Sequence, residues 1–558
     1  DYILLETIID IQEMRAGLLA AKAVCDLPVI CQMTFEDNAR SVTGTDVVTM
    51  VRTLEPLGAS VVGMNCSLGP KQLIPLVREL AQNTNLPISI QANAGMPHLE
   101  DGKTLFPLSP TEMASYVQEM AEAGAAYIGG CCGTTPEHIR MIKQALQDLV
   151  PPVRTQIKEQ FHLTSRTRSV TIGQELPTVI IGERINPTGR KVMAAEIKAG
   201  SLSMVKHDAL AQVQAGAKVL DVNMGVPGID QVEIMRQAIT QLSMLTDAAL
   251  CIDSTDPQVI ESGLRYYPGR ALINSVSDSP AQADVFKLAK KYGAAVIILP
   301  LSENKLPKTA AQRLEIADKL VAAGKTYGLK DTDFMLDALV MTVSTDGAAP
   351  AAVLETLQAY KTRFGYPTTM GLSNVSFGLP HREHINLAFY AAAMAHGLTS
   401  PIINPLLEGI GDMTDAMQVI LGKDRQGLAY SGKYSQLTKP AAVVSSTAPQ
   451  DLLAALKDCV VYGEKERATE LLKQALAAGY EPLNIANEAL TAGMQDIGVK
   501  FSAGAAFLPQ VLLSAETMSA AFAILKEKLP KENIGSSGTV ILATVKGDIH
   551  DLGKNIVA

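Results

Sequence analysis

Three cysteines follow two of the apolar runs in the first third of the chain, in a spacing that suits a metal ion. Cys66 comes after SVVGMN, and Cys131 and Cys132 come after AAYIGG. If both runs are strands of one parallel barrel, their carboxyl ends meet at the same rim, where sites are built. Neighbours on a strand point to opposite faces, so adjacent cysteines do not fit one core. Three thiolates with a fourth position open form the ligand set of a catalytic zinc site.

The alternative for these cysteines is a structural role as buried thiols, which we expect for Cys25 and Cys31. Asn93, at the end of the intervening run QANAG, could fill the open metal position or could simply form a turn. Glu6, at the end of LLET, is placed to meet the ammonium group of an amino acid, although a Glu that begins a helix would look the same.

A different candidate ligand lies near residue 550, in GTVILATVKGDIHDLGKN. An apolar run that ends in a Gly-spaced polar turn and opens a helix is the first unit of a doubly wound α/β domain. His550 would lie on that turn, between Asp548 and Gly553. A neutral imidazole is a common metal ligand, and a nearby carboxylate can hold its other nitrogen in the required tautomer. The alternative is a histidine that only caps the helix.

Acidic and amide side chains end the apolar runs of a second series. Carboxylates can accept paired N–H groups, and Asn can both donate and accept, so such a rim predicts a pocket for a neutral heterocycle. Asp and Asn are also frequent loop residues, which would explain one or two of them but not the whole set. The set is Glu183, Asn186, Asp221, Asn223, Asp253, Asn274, Asp337, Asn374 and Asn404.

The elements that must hold these residues alternate between apolar runs and helical patterns, which is typical of a parallel α/β sheet. Five strands precede the Pro-Pro pair at 151–152, and eight follow a polar connector. We expect two (β/α)8 barrels of TIM type, the first lacking three units before Asp1, so that the chain would be a fragment truncated at both ends. A Ser-, Thr-, Gly- and Pro-rich stretch predicts a linker. Four amphipathic stretches after it predict a four-helix bundle.

The predicted domain boundaries follow from these patterns. Residues 1–150 form the first barrel, 170–425 the second barrel, 426–446 the linker, 447–533 the helical domain, and 534–558 the start of the doubly wound α/β domain.

Composition narrows the function classes. The chain has 558 residues, of which 47% are apolar and 19% charged, enough for several cores. A formal net charge of −9 argues against a nucleic-acid surface and offers no basic patch for membranes. No 18-residue apolar run is visible, so we expect no membrane partner. Seven cysteines in a chain of this length do not make a disulfide framework, which favours a reducing, cytoplasmic location.

Motifs in the four segments carry resemblances to known families. GMNC and GGCCGTTP resemble the zinc-dependent homocysteine methyltransferases. IGERINPTG, DVN, IDS, INS, LDA and GLSNVS resemble the pterin-binding barrels of methyltetrahydrofolate:corrinoid methyltransferases and, more distantly, dihydropteroate synthase. GVKF with FLPQ, and DIHDLG, resemble cobalamin-binding segments. Together they resemble the cobalamin-dependent methionine synthase family over nearly the whole chain.

The resemblance implies a role for each candidate residue. Cys66, Cys131 and Cys132 would hold Zn²⁺, and zinc would bind homocysteine as its thiolate, with Glu6 and Asn93 near it. Phe501, Phe507 and Leu508 would cover cobalamin, His550 would be the lower ligand of its cobalt, and Asp548 and Gly553 would shape that loop. The folate residues would be Glu183, Asn223, Asp253, Asn274 and Asp337 at the pterin and Asn374 at N5.

The implied reaction moves a methyl group from 5-methyltetrahydrofolate, through methylcobalamin, to zinc-activated homocysteine. Splitting one difficult transfer into two displacements is covalent catalysis with cobalt as the nucleophile. A reductive reactivation system is expected as a partner. One alternative is a folate:corrinoid methyltransferase with a different thiol or a non-homocysteine acceptor. Another is a non-catalytic module that stores or senses cobalamin.

Overall fold

An open sheet of five parallel strands begins the chain. The computed structural model describes residues 1–100, 103–147, 149–150, 152–303, 306–435, 452–503, 506–526 and 528. The first elements are β1 (Ile3–Ile8), α1 (Ile11–Val24), β2 (Val29–Met33), α2 (Val47–Leu57), β3 (Val61–Asn65), α3 (Pro70–Ala81), β4 (Ile88–Ala92), β5 (His98–Glu100), β6 (Lys103–Leu105), α4 (Pro110–Ser115), α5 (Val117–Ala123), β7 (Tyr127–Gly130) and α6 (Pro136–Leu146). The strand order is β1-β2-β3-β4-β7, so the five predicted strands are confirmed.

Helices cover this sheet, and its central strands are therefore buried. Every residue of β2 and β3 is buried, as expected for a parallel sheet with helices on its faces. Strands β3 and β4 approach so closely at Gly63 that a Cβ there would lie 2.0 Å from the carbonyl oxygen of Ser89. Any larger residue at this position would push the two strands apart.

The segment predicted as a polar connector contains a β-hairpin. Its strands are β8 (Phe161–Thr164) and β9 (Ser169–Ile172), which pair antiparallel. Phe161, Leu163 and Ile172 pack in one apolar cluster with residues from the barrel strands that follow. The hairpin therefore belongs to the second domain, whose predicted start at 170 is too late. The alternation F-H-L-T and S-V-T-I is short enough to be missed among its charged neighbours.

Eight parallel strands then close into a barrel, which confirms the predicted (β/α)8 fold. Each strand pairs with the next, and β10 pairs with β17 to complete the ring. The elements are β10 (Ile181–Ile185), α7 (Lys191–Lys198), α8 (Ser203–Gln214), β11 (Val219–Val222), α9 (Gln231–Leu245), β12 (Ala249–Asp253), α10 (Pro257–Tyr266), β13 (Leu272–Asp278), α11 (Gln282–Tyr292), β14 (Ala295–Ser302), α12 (Ala310–Thr326), β15 (Phe334–Asp337), α13 (Ala349–Arg363), β16 (Thr368–Gly371), α14 (Arg382–Ala395), β17 (Ser400–Ile403) and α15 (Ile410–Ile420).

The open sheet and the barrel form one structural unit, Asp1–Lys439. Arg15 on α1 is buried and donates to the carbonyl oxygens of Tyr267 and Leu264, next to α10. Arg166, in the hairpin turn, forms an ion pair with Asp10 at 2.5 Å. These buried arginine contacts fix the first sheet on the barrel.

The predicted linker is not irregular throughout. Helix α16 (Leu428–Tyr434) lies in it and follows a short 3-10 turn. Lys433 forms an ion pair with Asp415 of α15 at 2.5 Å, and the rings of Tyr430 and Tyr434 stack. The barrel domain thus extends past the predicted end at 425. Residues 436–446 of the linker lie outside the described residues.

A helical domain follows in the second unit, Pro440–Ala558. It contains α17 (Leu452–Tyr462), α18 (Lys465–Ala477), α19 (Pro482–Asn484), a π-helical turn at Ile485–Thr491, α20 (Ala492–Ser502) and α21 (Leu508–Lys526). Because α19, the π turn and α20 run on without a break, these elements form the four predicted helical stretches. The predicted doubly wound segment, 534–558, lies outside the described residues.

Helix α21 bears on the sequence observation that no 18-residue apolar run is present, and it leaves that observation unchanged. Among the described residues, it alone is long and apolar enough to cross a membrane by length and composition. The sequence showed no unbroken apolar run because Ser514 and Glu516 interrupt it. The helix packs against α17, α18 and α20, and Ala521 and Leu525 are fully buried in the bundle.

Candidate functional site

Cys66, Cys131 and Cys132 converge at the carboxyl edge of the first sheet. Cys66 follows β3 and the other two follow β7, with β4 between them. The three Sγ atoms lie within 4.8 Å of one another, and those of Cys66 and Cys132 are 3.6 Å apart. Tetrahedral Zn–S bonds of about 2.3 Å place sulfur atoms about 3.8 Å apart. The cluster therefore has nearly the spacing that a zinc ion needs.

Unusual backbone geometry turns the three thiols toward one another. Cys66 and Ser67 have φ values of 63° and 56°, in the left-handed region that most side chains avoid. Gly133, in the GGCCG turn, has a φ of 77°. A Cβ on Gly133 would lie 2.2 Å from Cγ of Phe106. Only glycine can therefore follow the cysteine pair in this turn.

The electrostatics of the cluster fit a cation. Burial, followed by the nearby Cys66 thiol, raises the pKa of Cys131 above its ordinary value and raises the pKa of Cys132 to about 12. Three thiols this close cannot ionise together without a positive charge among them. A soft divalent metal favours thiolate ligands and removes that repulsion.

Asn65 is a residue of this site that the sequence did not reveal. Its side chain is fully buried and donates from Nδ2 to the Thr7 hydroxyl at 2.8 Å and to Cys131 Sγ at 3.7 Å. Its Oδ1 accepts the Thr7 N–H at 2.8 Å. One amide thus links the end of β1 to a predicted zinc ligand. Asn65 lies in the G-M-N-C motif, but only the pairing of the strands shows that its side chain reaches Cys131.

We expect Asn65→Ala to weaken zinc binding by about 10- to 100-fold, because a hydrogen bond to a ligand orients it and stabilises its charged form. Competition with a chromophoric chelator measures that affinity, and the sulfur-to-cobalt charge-transfer band of the Co²⁺ form reports on the ligand itself. The exposed Asn38→Ala is the control. Unchanged affinity with an unchanged band would show that Asn65 only supports the fold.

Glu6 lies on β1, and Asn93 follows β4, the strand between the two that carry the cysteines. Glu6 is exposed on β1, next to Thr7, and not at a helix start. Asn93 is buried, and its Oδ1 accepts the backbone N–H of Cys132 at 3.0 Å. In this state Asn93 shapes the cysteine turn, and its role as a ligand or substrate contact stays a prediction.

The predicted acid–amide rim forms at the carboxyl ends of the barrel strands. Asn223 donates from Nδ2 to Asp253 Oδ2 at 2.9 Å, and Asn274 donates from Nδ2 to Asp221 Oδ1 at 3.1 Å. Asp221 is buried, and the pKa of its carboxyl is raised well above the ordinary value by burial and by the charge of Asp253. Burial also raises the pKa of Asp253. Two acids from neighbouring strands are thus each held by an amide at the same end of the barrel.

Asp337 ends β15 in the same rim. It is buried, accepts the backbone N–H of Leu339 at 2.6 Å, and lies near the buried Arg313. Burial raises the pKa of Asp337 to about 7, although Leu339 and Arg313 oppose the shift. The sequence did not identify Asp337 as a group with a near-neutral pKa, because its burial cannot be read from the residue type.

This shift predicts a pH-dependent stability. Because the folded-state pKa of Asp337, about 7, exceeds the ordinary aspartate pKa of 3.8, its stabilising contribution is present below about pH 4 and lost as the pH rises through about 7. Above that range the buried charge costs on the order of 4 kcal/mol. Asp337→Asn should therefore gain stability over the unchanged chain as the pH rises, as read from denaturant midpoints.

The control for this effect is Asp331→Asn. Contact with Lys325 lowers the pKa of Asp331, so its variant should lose a little stability as the pH rises, the opposite sign. A stability difference for Asp337→Asn that does not change with pH would mean that Asp337 titrates normally.

Glu183 and Asn374 lie on the neighbouring part of the rim. The Ser373 hydroxyl donates to Glu183 Oε1 at 3.0 Å, and burial raises the pKa of Glu183. Asn374 is exposed in the 3-10 helix Leu372–Ser376, and a Cβ on Gly371 would lie 2.9 Å from its Nδ2. Arg382, which sequence reasoning missed, donates to the Ser373 carbonyl oxygen at 2.6 Å.

The predicted cobalamin-covering residues differ in exposure. Phe501 is exposed near the end of α20, Leu508 is half-buried at the start of α21, and Phe507 is buried. Exposed Val499 and Phe522 add to the apolar surface of the helical domain, which suits contact with a large apolar ring. Asp548, His550 and Gly553 lie outside the described residues.

Three family models match consecutive parts of the chain. The model described as homocysteine S-methyltransferase matches residues 1–146, pterin binding enzyme matches 182–404, and B12 binding domain matches 452–526. Each match coincides with a domain defined above by its elements.

Curated relatives match the whole chain. It is 31% identical to methionine synthase of Mycobacterium tuberculosis (strain ATCC 25618 / H37Rv), over 100% of this chain and 49% of that protein. It is 30% identical to methionine synthase of Mycobacterium leprae (strain TN), over 100% of this chain and 50% of that protein. The chain spans about half the length of these relatives. With the three domain matches, they confirm the resemblance to the cobalamin-dependent methionine synthase family.

Solved structures match about half of the chain. Dihydropteroate synthase of Yersinia pestis with a pterine-sulfa conjugate aligns with a TM-score of 0.38 and 16% identity, over 47% of this chain and 100% of that one. Dihydropteroate synthase of Xanthomonas albilineans, in complex with indole-2-carboxylic acid and 6-chloroguanine, aligns with a TM-score of 0.38 and 15% identity. The alignment covers 48% of this chain and 99% of that one.

Proposed function

We propose that this chain, similar to methionine synthases over its whole length, carries the sites that move a methyl group from 5-methyltetrahydrofolate through cobalamin to homocysteine. The products would be methionine and tetrahydrofolate. The observation that carries the proposal is the presence of a three-thiol cluster and an acid–amide rim in one unit. The order of the homocysteine, pterin and B12 matches supports it.

Zinc, when held by Cys66, Cys131 and Cys132, lowers the pKa of a substrate thiol, and cobalamin supplies a cobalt centre that accepts and donates methyl groups. The chain's own residues position homocysteine for this chemistry. Exposed Glu6 accepts the substrate ammonium group, and Asn93 holds the Cys132 turn until the thiol arrives.

The acid–amide rim binds the pterin. Asp253 and Asp337 accept paired N–H groups from its edge, and Asn274 contributes a further polar contact. Asn223 holds Asp253 in place, and Asn274 holds the neighbouring Asp221. A ligand that donates to these carboxylates favours their charged forms and so offsets the raised pKa values. Glu183, fixed by a hydrogen bond from the Ser373 hydroxyl, accepts a further donor.

Exposed Asn374 acts at N5 of the folate. A tertiary amine is a poor leaving group, so N5 must be protonated or strongly hydrogen-bonded as the methyl departs. The Asn374 amide can hold that hydrogen bond directly or through a water molecule. Asn374 is exposed, and its Nδ2 lies beside Gly371.

The helical domain would cover cobalamin with Phe501, Phe507 and Leu508, and His550 would supply a ligand to its cobalt, with Asp548 and Gly553 close to it in the sequence. An apolar cover protects a reactive centre from water. We place the protein in a reducing cytoplasm, away from membranes and nucleic acid, with a reductive reactivation system as partner; its seven cysteines are free thiols.

Folate binding tests the proposal against a cobalamin-storing module. The chain should bind 5-methyltetrahydrofolate in a calorimeter, and Asp253→Asn should weaken that binding about tenfold or more. A charge-assisted hydrogen bond is worth about 1.5–3 kcal/mol, and 1.4 kcal/mol is tenfold. Asp256→Asn, a change between equivalent helix caps at an exposed position, is the control. No binding by the unchanged chain would refute the folate site.

A further inference from the structure

Outside the cysteine cluster, the described residues hold one further group of converging metal ligands. One ligand atom each from His381, Glu383 and His384 lies within 4.8 Å of the other two. His381 Nδ1 and Glu383 Oε1 are 3.4 Å apart, and the two imidazole rings lie 27° from parallel with centroids 6.3 Å apart. All three side chains are exposed. We call this group the rim histidine cluster.

The start of α14 brings these ligands together. His381 precedes the helix with φ 47° and ψ 49°, so its ring turns back over the first turn, where Glu383 and His384 lie. Residues three apart at a helix start are neighbours in space. One carboxylate thus lies beside two imidazoles.

The positive charge within this motif is directed elsewhere. Arg382 donates from Nη2 to the Ser373 carbonyl oxygen at 2.6 Å and from Nε to Ser376 Oγ at 3.0 Å. Its guanidinium also lies 5.8 Å from the centroid of the Phe377 ring. Arg382 is thus held by the 3-10 segment that contains Asn374. It does not pair with the Glu383 carboxylate, which stays available to a metal ion.

The helix that carries the ligands is well anchored. The Ser376 hydroxyl donates to Oδ1 of buried Asn386 at 2.7 Å. Phe389 and Tyr390, further along the same helix, are buried in the barrel core. A metal site needs ligands on such a fixed element, because loose ligands pay for their ordering when the ion binds.

We propose that the rim histidine cluster binds a divalent transition-metal ion, Zn²⁺ in particular. Two imidazole nitrogens and one carboxylate oxygen suit zinc, and three protein ligands leave a position open. This site would differ from the cysteine cluster in having no sulfur. The bound ion would tie His381 to the first turn of α14 and so stiffen the loop between Asn374 and that helix. The inference is independent of the proposed function.

Zinc binding to the full chain tests this inference. Equilibrium dialysis against a zinc buffer counts the ions bound to the chain, His384→Ala, Glu383→Gln and Cys131→Ser. The exposed His98→Ala is the matched control, since His98 also lies beside a glutamate, Glu100, at 3.6 Å. Co²⁺ replaces zinc in a second series, because only a thiolate site gives an intense sulfur-to-cobalt charge-transfer band.

We expect one sulfur-free site in the unchanged chain, in His98→Ala and in Cys131→Ser. His384→Ala and Glu383→Gln should each weaken that site by more than about tenfold, since even outer partners of metal ligands cost 10- to 100-fold. Circular dichroism shows whether these surface variants stay folded. The inference is overturned if Cys131→Ser binds no zinc. It is also overturned if His384→Ala and Glu383→Gln both bind zinc at the sulfur-free site as tightly as the unchanged chain does. If the unchanged chain binds zinc at the rim histidine cluster but not at the three cysteines, that result would count only against the proposed function.

Discussion

Replacing Cys131 by Ser is expected to remove zinc from the cysteine cluster and to abolish methylation of homocysteine. The change takes away one of three soft ligands and leaves the Asn65 amide without its sulfur acceptor. Serine oxygen is a far poorer ligand for zinc than thiolate at neutral pH. Methylation of cob(I)alamin by 5-methyltetrahydrofolate should continue unchanged, because the folate rim belongs to the closed barrel and the cysteine cluster to the open sheet. Both half-reactions can be followed with a labelled methyl group.

Cys25→Ser is the matched control for this experiment. Cys25 is half-buried at the end of α1, and its thiol contacts only the Ala21 carbonyl oxygen, at 3.5 Å, among the hydrogen bonds of the described residues. Its variant should keep zinc and homocysteine methylation. If Cys131→Ser slowed both half-reactions equally, the open sheet and the barrel would not serve separate steps.

Asn374→Ala should lower the rate of methyl transfer from folate about 100-fold while changing the affinity for 5-methyltetrahydrofolate little. Removing one hydrogen-bond donor aimed at a developing charge typically costs 10²- to 10³-fold in rate. The amide is exposed and contributes little to the barrel fold. Single-turnover methylation of cob(I)alamin gives the rate, and calorimetry gives the affinity.

Ser344→Ala is the control, because Ser344 is also exposed and contacts Phe377 at the end of the same segment, with its hydroxyl 3.0 Å from the carbonyl oxygen. Its variant should transfer methyl groups at the unchanged rate. Equal and small changes in rate and affinity for Asn374→Ala would contradict the placement of Asn374 at N5.

The sequence predicted the elements well wherever the apolar pattern repeats. Thirteen strands in two parallel series, and the four helical stretches, lie where the runs predict them. The hairpin β8–β9 and helix α16 were missed because each is short and surrounded by polar residues. Both owe their structure to packing against the barrel, by Phe161 and Leu163 in one case and by Lys433 in the other.

Sequence reasoning found residue types in the sites but not their relations. GMNC and GGCCG together indicated three thiols at one rim, and the structure brings them together. They could not show that Asn65 reaches Cys131, because this depends on the register of β1, β3 and β7. Likewise, the raised pKa of Asp337 follows from burial, which no motif encodes. Roles assigned through the family resemblance, including those of Glu6, Asn93 and Asn374, stay predictions.

X-ray absorption at the zinc edge tests most directly the claim that the cysteine cluster activates a substrate thiol. The zinc-loaded His384→Ala variant, which lacks the sulfur-free site proposed above, should show three sulfur neighbours, from Cys66, Cys131 and Cys132, and one lighter ligand. Adding homocysteine should replace that lighter ligand with a fourth sulfur, because the open position accepts the substrate thiolate. A zinc site without sulfur, or one that homocysteine leaves unchanged, would contradict the claim.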